Sequence, residues 1–198
     1  MTSSPISPPL IRSTEMLSCG ETALLVIDMQ TKLLPAMRSG AALVHNVQRL
    51  VQGAQLLGVP TFATQQYPQG LGPTIPELAP SLPKCWDKRA FSIGECGELI
   101  DELKSQGIFK VLVCGIETHV CVAQSVLDLL ANGFRTFVAV DATSSRFAFD
   151  AEIALRRLDS AGATLVTTES ALFEFCQTSE HPQFKAISKL VKEAPPAS

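Results

Sequence analysis

A chain of 198 residues with 46% apolar side chains is long enough for one domain with a sizeable hydrophobic core. Lysine and arginine number 16 against 19 acidic residues, giving a formal charge of −3 with no long basic run. These figures lend no support to nucleic-acid binding, and no apolar stretch is long enough to read as a membrane span.

Met1 to Cys19 mixes proline and serine, without the apolar run of a secretory leader or the pattern of a strong transit peptide. The expected organisation is a flexible lead-in over 1–19, one domain over 20–192 and a frayed tail over 193–198. The six cysteines include no CxxC pair and match no usual zinc spacing, so free thiols in a reducing compartment are the simplest account. The expected location is intracellular, with the cytoplasm ranked ahead of a mitochondrial association.

Thr22 to Ile27 is a continuous apolar run closed by Asp28, which fits a central parallel strand covered on both faces. Its closing acid leaves the core where open α/β sheets bind ligands. Leu43, Val44, Val47, Leu50, Val51, Ala54 and Leu57 recur at helix spacing over 40–57, and Gly58 stops the helix. Val59 to Thr64 begins a second strand and completes a βαβ unit. Residues 65–83 carry prolines at 68, 73, 76, 80 and 83, which excludes a long regular element and leaves a loop suited to wall a site. The stretch 84–92 follows, with the single tryptophan, Trp86, and a basic cluster.

A helix over 97–106 and a core strand over 108–114 come next. Gly115 breaks the strand, and a helix-period segment containing Cys121 runs to Asn132-Gly133. Residues 134–140 form a strand that ends at Asp141, and 150–161 form a helix. Residues 164–168 make a short edge strand, and 171–176 and 184–191 are terminal helices. This alternation predicts an α/β fold: a three-layer α/β/α sandwich with a central, mostly parallel sheet.

Three residues stand where such a sheet places its chemistry: Asp28 after the first strand, Lys88 after the proline-rich loop and Cys121 at a helix start. A carboxylate can take a thiol proton and later return it, while a nearby lysine favours the thiolate. Helix-start amides would lower the thiol pKa and face an oxyanion. Taken singly, each residue has a plainer reading: a buried helix cysteine, a solvated lysine, an aspartate capping the next segment. Cys114, at the end of a strand, reads as core.

The sequence resembles the isochorismatase-like cysteine hydrolase superfamily, and within it the type 2 branch of isochorismatase domain-containing proteins. The resemblance rests on Leu25-Val26-Ile27-Asp28-Met29-Gln30, the loop Gln65 to Gly72, Lys88 before Phe91-Ser92, and Cys114 to Cys121. It continues through Asp141 to Arg146 and His181 to Lys185, and covers roughly 20–192. It implies Asp28, Lys88 and Cys121 as a catalytic triad, a cis peptide at Ile116-Glu117, and an oxyanion site of backbone amides near Glu117 and Cys121. The implied chemistry is thiolate attack on a small amide or carbamoyl compound, with no cofactor. It also implies a homo-oligomer.

Metal-using nicotinamidases of this kind carry an aspartate and histidines after the second strand. Thr64-Gln65-Gln66-Tyr67 offers no such set, and His45, His119 and His181 are scattered. No metal site is expected. Candidate substrate contacts are Gln30, Gln66, Tyr67, Trp86, Phe91, His119 and Arg146. The alternatives are a non-catalytic interaction protein on a hydrolase fold, and a hydrolase of another small-molecule class or of nucleic acid.

Overall fold

The computed structural model describes residues 11–82 and 84–194. Six strands form one sheet in the order β3-β2-β1-β4-β5-β6, parallel throughout. They are β1 (Thr22–Ile27), β2 (Thr61–Gln66), β3 (Cys85–Lys88), β4 (Lys110–Ile116), β5 (Arg135–Ser144) and β6 (Thr164–Val166). The helices are α1 (Gly40–Leu57), α2 (Pro68–Leu71), α3 (Gly97–Ser105), α4 (Ala123–Ala131), α5 (Ala148–Ser160), α6 (Thr168–Cys176) and α7 (Phe184–Val191).

The period-2 geometry of each strand sorts its side chains into two cores. Leu24 and Val26 of β1, Leu112 and Cys114 of β4, and Phe137 of β5 pack with residues of α1, α6 and α7. Leu25, Ile27, Val111, Val113 and Val138 face the other way, toward α3, α4 and Leu158 of α5. β1 and β4 are apolar on both faces because both faces are covered, which gives the three-layer α/β/α arrangement.

The strand order reverses direction between β1 and β4, so their carboxyl ends open a crevice at a topological switch point. Gly115 lets the two strands close there. It sits at φ +111, and a Cβ on it would lie 2.1 Å from the Ile27 carbonyl oxygen.

The sequence pattern missed β3. Its four residues, Cys-Trp-Asp-Lys, form an edge strand paired only with β2, so no apolar run marks it. β5 extends past the expected end because pairing resumes at Gly115↔Thr143 and Ile116↔Ser144 after an irregularity in register. α6 starts earlier than expected, at a capping box formed by Thr167 and Ser170.

The lead-in expected to be flexible is docked in part. Leu17 is fully buried, its N–H donates to Glu174 Oε2 at 2.8 Å, and Arg12 donates to the Glu174 carbonyl at 2.8 Å. Residues 1–10 of that lead-in, and 195–198 of the expected tail, lie outside the described residues. Among the described residues no helix is long and apolar enough to cross a membrane.

Candidate active site

Asp28 is the first residue beyond β1. It is fully buried and holds φ +50, which turns the chain sharply off the sheet. Lys88 is the last residue of β3, and its Nζ donates to Asp28 Oδ2 at 2.7 Å in an ion pair with both side chains at 0% exposure. The same Nζ donates to Gln66 Oε1 at 2.7 Å and to the Phe91 carbonyl at 3.0 Å. All three ammonium hydrogens therefore have an acceptor, as a buried charge requires. The other Asp28 oxygen, Oδ1, accepts from the Thr64 hydroxyl at 2.8 Å.

Cys121 arrives from the far side of the crevice. Beyond β4 the Ile116-Glu117 peptide is cis, as the resemblance implies, and Thr118–Val122 form a wide π-turn before α4. The Glu117 carbonyl accepts from Val120 N at 3.0 Å and from Val122 N at 3.2 Å, the second bond spanning five residues. Cys121 keeps 6% exposure. Its thiol is pushed up to about 12, by burial first and by the Asp28 carboxylate second, while the Lys88 ammonium pulls the other way. The sequence reading expected the helix start to lower this value; in the folded chain desolvation outweighs it.

The remaining candidates divide. Gln66 is the last residue of β2, accepting from Lys88 and donating through Nε2 to the Arg89 carbonyl at 2.7 Å. Gln30, expected near substrate, is fully buried and clamps backbone: Nε2 donates to the Gln66 and Gly72 carbonyls, and Oε1 accepts from Gln66 N. Tyr67 stacks beneath the Arg89 guanidinium at 4.3 Å. Trp86 packs against Phe62, with ring centroids 5.7 Å apart. Phe91 turns its ring outward while its carbonyl serves Lys88. His119 Nδ1 meets Ser145 Oγ at 2.9 Å, and Arg146 Nε donates to Glu117 Oε2 at 3.1 Å.

Thr64 was missed. Its signal was a hydroxyl two residues before Gln66 on the same face of a buried strand. A cavity of about 420 Å³, lined by Arg38, Leu43, Thr118, Thr143, Ser145 and Glu152 among others, does not touch Asp28, Lys88 or Cys121. Among the described residues, no three His, Cys, Asp or Glu side chains gather in a group able to hold a metal ion.

An isochorismatase domain model matches residues 22–170. Isochorismatase domain-containing protein 2 of Bos taurus is 41% identical over 179 residues, covering 90% of this chain and 87% of that protein. The solved structure of the MAR1 ribonuclease from Caenorhabditis elegans superposes with a TM-score of 0.86 at 36% identity, covering 92% of this chain and 95% of that one. The YcaC gene product of Escherichia coli, described as an octameric hydrolase of unknown specificity, superposes at 0.84 with 25% identity and 91% coverage of each chain. With the fold and the domain match in agreement, this chain belongs to the isochorismatase family of hydrolases.

Proposed function

We propose that this protein hydrolyses a C–N bond of a small amide or carbamoyl compound through a thioester on Cys121. Asp28 takes the thiol proton as sulfur attacks the carbonyl carbon. The C–S bond forms, and the carbonyl π pair moves onto oxygen. As the oxyanion collapses, the C–N bond breaks and the departing nitrogen takes the proton from Asp28. Water, deprotonated by Asp28, then attacks the thioester, and the sulfur leaves and regains its proton. Lys88, locked by three acceptors, acts as a fixed positive charge beside these events. Backbone amides near Glu117 and Cys121 are the proposed oxyanion donors.

One observation carries this reading: a fully desolvated carboxylate–ammonium pair sits next to a thiol at the switch-point crevice. Burying both charges is expensive, and a hydrophobic pair of similar volume is often as stable. Intact-mass trapping with a panel of small amides, carbamoyl compounds and esters tests it. The expected result is an adduct in the wild type that is missing in Cys121→Ala. A thiol probe that shows no preference for Cys121 over the other five cysteines, together with no adduct, sinks the proposal.

A second reading, a non-catalytic interaction protein, draws on the 6% exposure of Cys121. The same probe experiment separates the two. RNA belongs in the panel because one neighbour is described as a ribonuclease, although the net charge of −3 does not favour a polyanion. A homo-oligomer is proposed on the likeness to the octameric hydrolase, and light scattering tests it.

A further inference from the structure

The end of β5 and the residue pair just beyond it fasten the segment that carries the thiol. Thr143 donates its hydroxyl proton to the Gly115 carbonyl at 2.8 Å, and its oxygen lies 2.9 Å from the Thr118 hydroxyl. Ser145 Oγ meets His119 Nδ1 at 2.9 Å. Arg146 donates to Glu117 Oε2 through its backbone N–H at 3.2 Å and through Nε at 3.1 Å. We propose that Thr143 is a positioning residue: its hydroxyl ties Gly115 to Thr118 and so holds the π-turn closed over Cys121. The thiol so held is the proposed nucleophile, and the inference rests on that reading for its bearing on catalysis.

Of the three fastenings, the one at Thr143 is the hardest for water to replace. Gly115 and Thr118 are buried, whereas the side chains of His119 and Arg146 reach solvent. An exposed partner is exchanged for water at little cost, and a buried one is not. A hydroxyl has a single hydrogen, and that of Thr143 goes to the Gly115 carbonyl. Thr118 is therefore the donor to Thr143, and one oxygen serves both ends of the segment.

The strand register brings this oxygen into place. While β4 advances from Val113 to Gly115, β5 advances from Val138 to Thr143, and the surplus on β5 carries Thr143 to Gly115. Valine has nearly the shape of threonine. Thr143→Val withdraws a donor from the Gly115 carbonyl and an acceptor from the buried Thr118 hydroxyl, so the tie is lost with little change in packing.

The test is a timed pulse of a maleimide bearing a polyethylene glycol chain, applied to the folded full chain. The reagent is too large for a crevice that leaves Cys121 6% exposed, so it reports opening of the turn. Unfolding and capping with iodoacetamide then mark, in a peptide map, which cysteines stayed closed. Cys176 is the reference, buried at the end of α6 in the opposite layer. Thr143→Val is expected to raise labelling of Cys121 about tenfold relative to Cys176, the scale of a buried hydrogen bond. Thr143→Ser keeps the hydroxyl and is expected to hold the wild-type ratio.

An unchanged ratio in Thr143→Val overturns the proposal, and so do rates that rise together at both cysteines, which mark a loss of stability throughout the fold. A serine variant that labels like the valine one overturns it as well, since the hydroxyl is then idle. Should Thr143→Val not fold, Thr118→Val withdraws the second bond alone and carries the same expectation and the same refutation. Failure of the nucleophile reading shows in the trapping panel with Cys121→Ala and does not move this ratio.

Discussion

Two carboxylate–cation pairs stand at the same end of the sheet and differ in almost everything but distance. Asp28–Lys88 spans 2.7 Å with both side chains at 0% exposure, whereas Glu117–Arg146 spans 3.1 Å at 11% and 55%. The first is framed by strand ends and saturated with neutral hydrogen bonds; the second is a loop contact reaching into solvent. The contrast teaches that proximity of opposite charges says little by itself. Desolvation decides whether a pair governs its neighbours or merely decorates the surface.

The strongest way to break the contrast is to remove one buried charge. Lys88→Met leaves the Asp28 carboxylate buried without its cation and is expected to cost about 3–5 kcal/mol in urea unfolding. The double variant Asp28→Asn/Lys88→Met removes both charges and is expected to recover much of that loss while abolishing Cys121 chemistry. If the single variant proves as stable as wild type, the pair is less sealed than its geometry indicates.

Next comes the floor beneath the pair. Gly115→Ala forces a Cβ to within 2.1 Å of the Ile27 carbonyl oxygen at φ +111, and a loss of about 3 kcal/mol is expected in thermal melts. An unchanged melting temperature would mean that β1 and β4 can part without penalty.

The sealed thiol supplies a pH signature. Burial raises Cys121 from 9.0 to about 12, so the folded protein holds this proton more tightly than the unfolded chain. Its contribution to stability is complete below about pH 9 and is lost as pH climbs toward about 12. Wild type should therefore weaken faster than Cys121→Ala in that window, by up to about 1.4 kcal/mol per pH unit. Parallel alkaline denaturation curves for the two proteins count against a buried neutral thiol. The smallest effect belongs to the exposed pair: Arg146→Ala is expected to change stability by less than about 1 kcal/mol, measured by the same melts.

Much of this frame was legible in the chain. The double-sided apolar run of β1, its closing Asp28 and the helix spacing of α1 and α7 are local patterns, and the folded chain keeps them at the positions read. β3 was not, because an edge strand covered by little else needs no apolar signature, and Lys88 was placed after a loop when it ends a strand. Gln30 is a candidate substrate contact in the sequence, yet its partners Gln66 and Gly72 lie 36 and 42 residues away, a distance no local pattern reveals. The sign of the Cys121 shift failed for a related reason. A helix start is visible in sequence, while the burial that opposes it is a property of the packed crevice.

The π-turn at Thr118–Val122 makes the bearing of the thiol a matter of counting. Along a regular helix each residue advances the direction of its side chain by about 100°. A turn closed across five residues holds one more than a regular turn, so inserting or deleting a single residue between Glu117 and Ala123 would swing Cys121 by about that angle relative to the cis peptide. Two chains with every side chain of the trio intact could then point the same sulfur at the carboxylate or into the layer behind it, so the length of this segment is as much a part of the site as the residues in it.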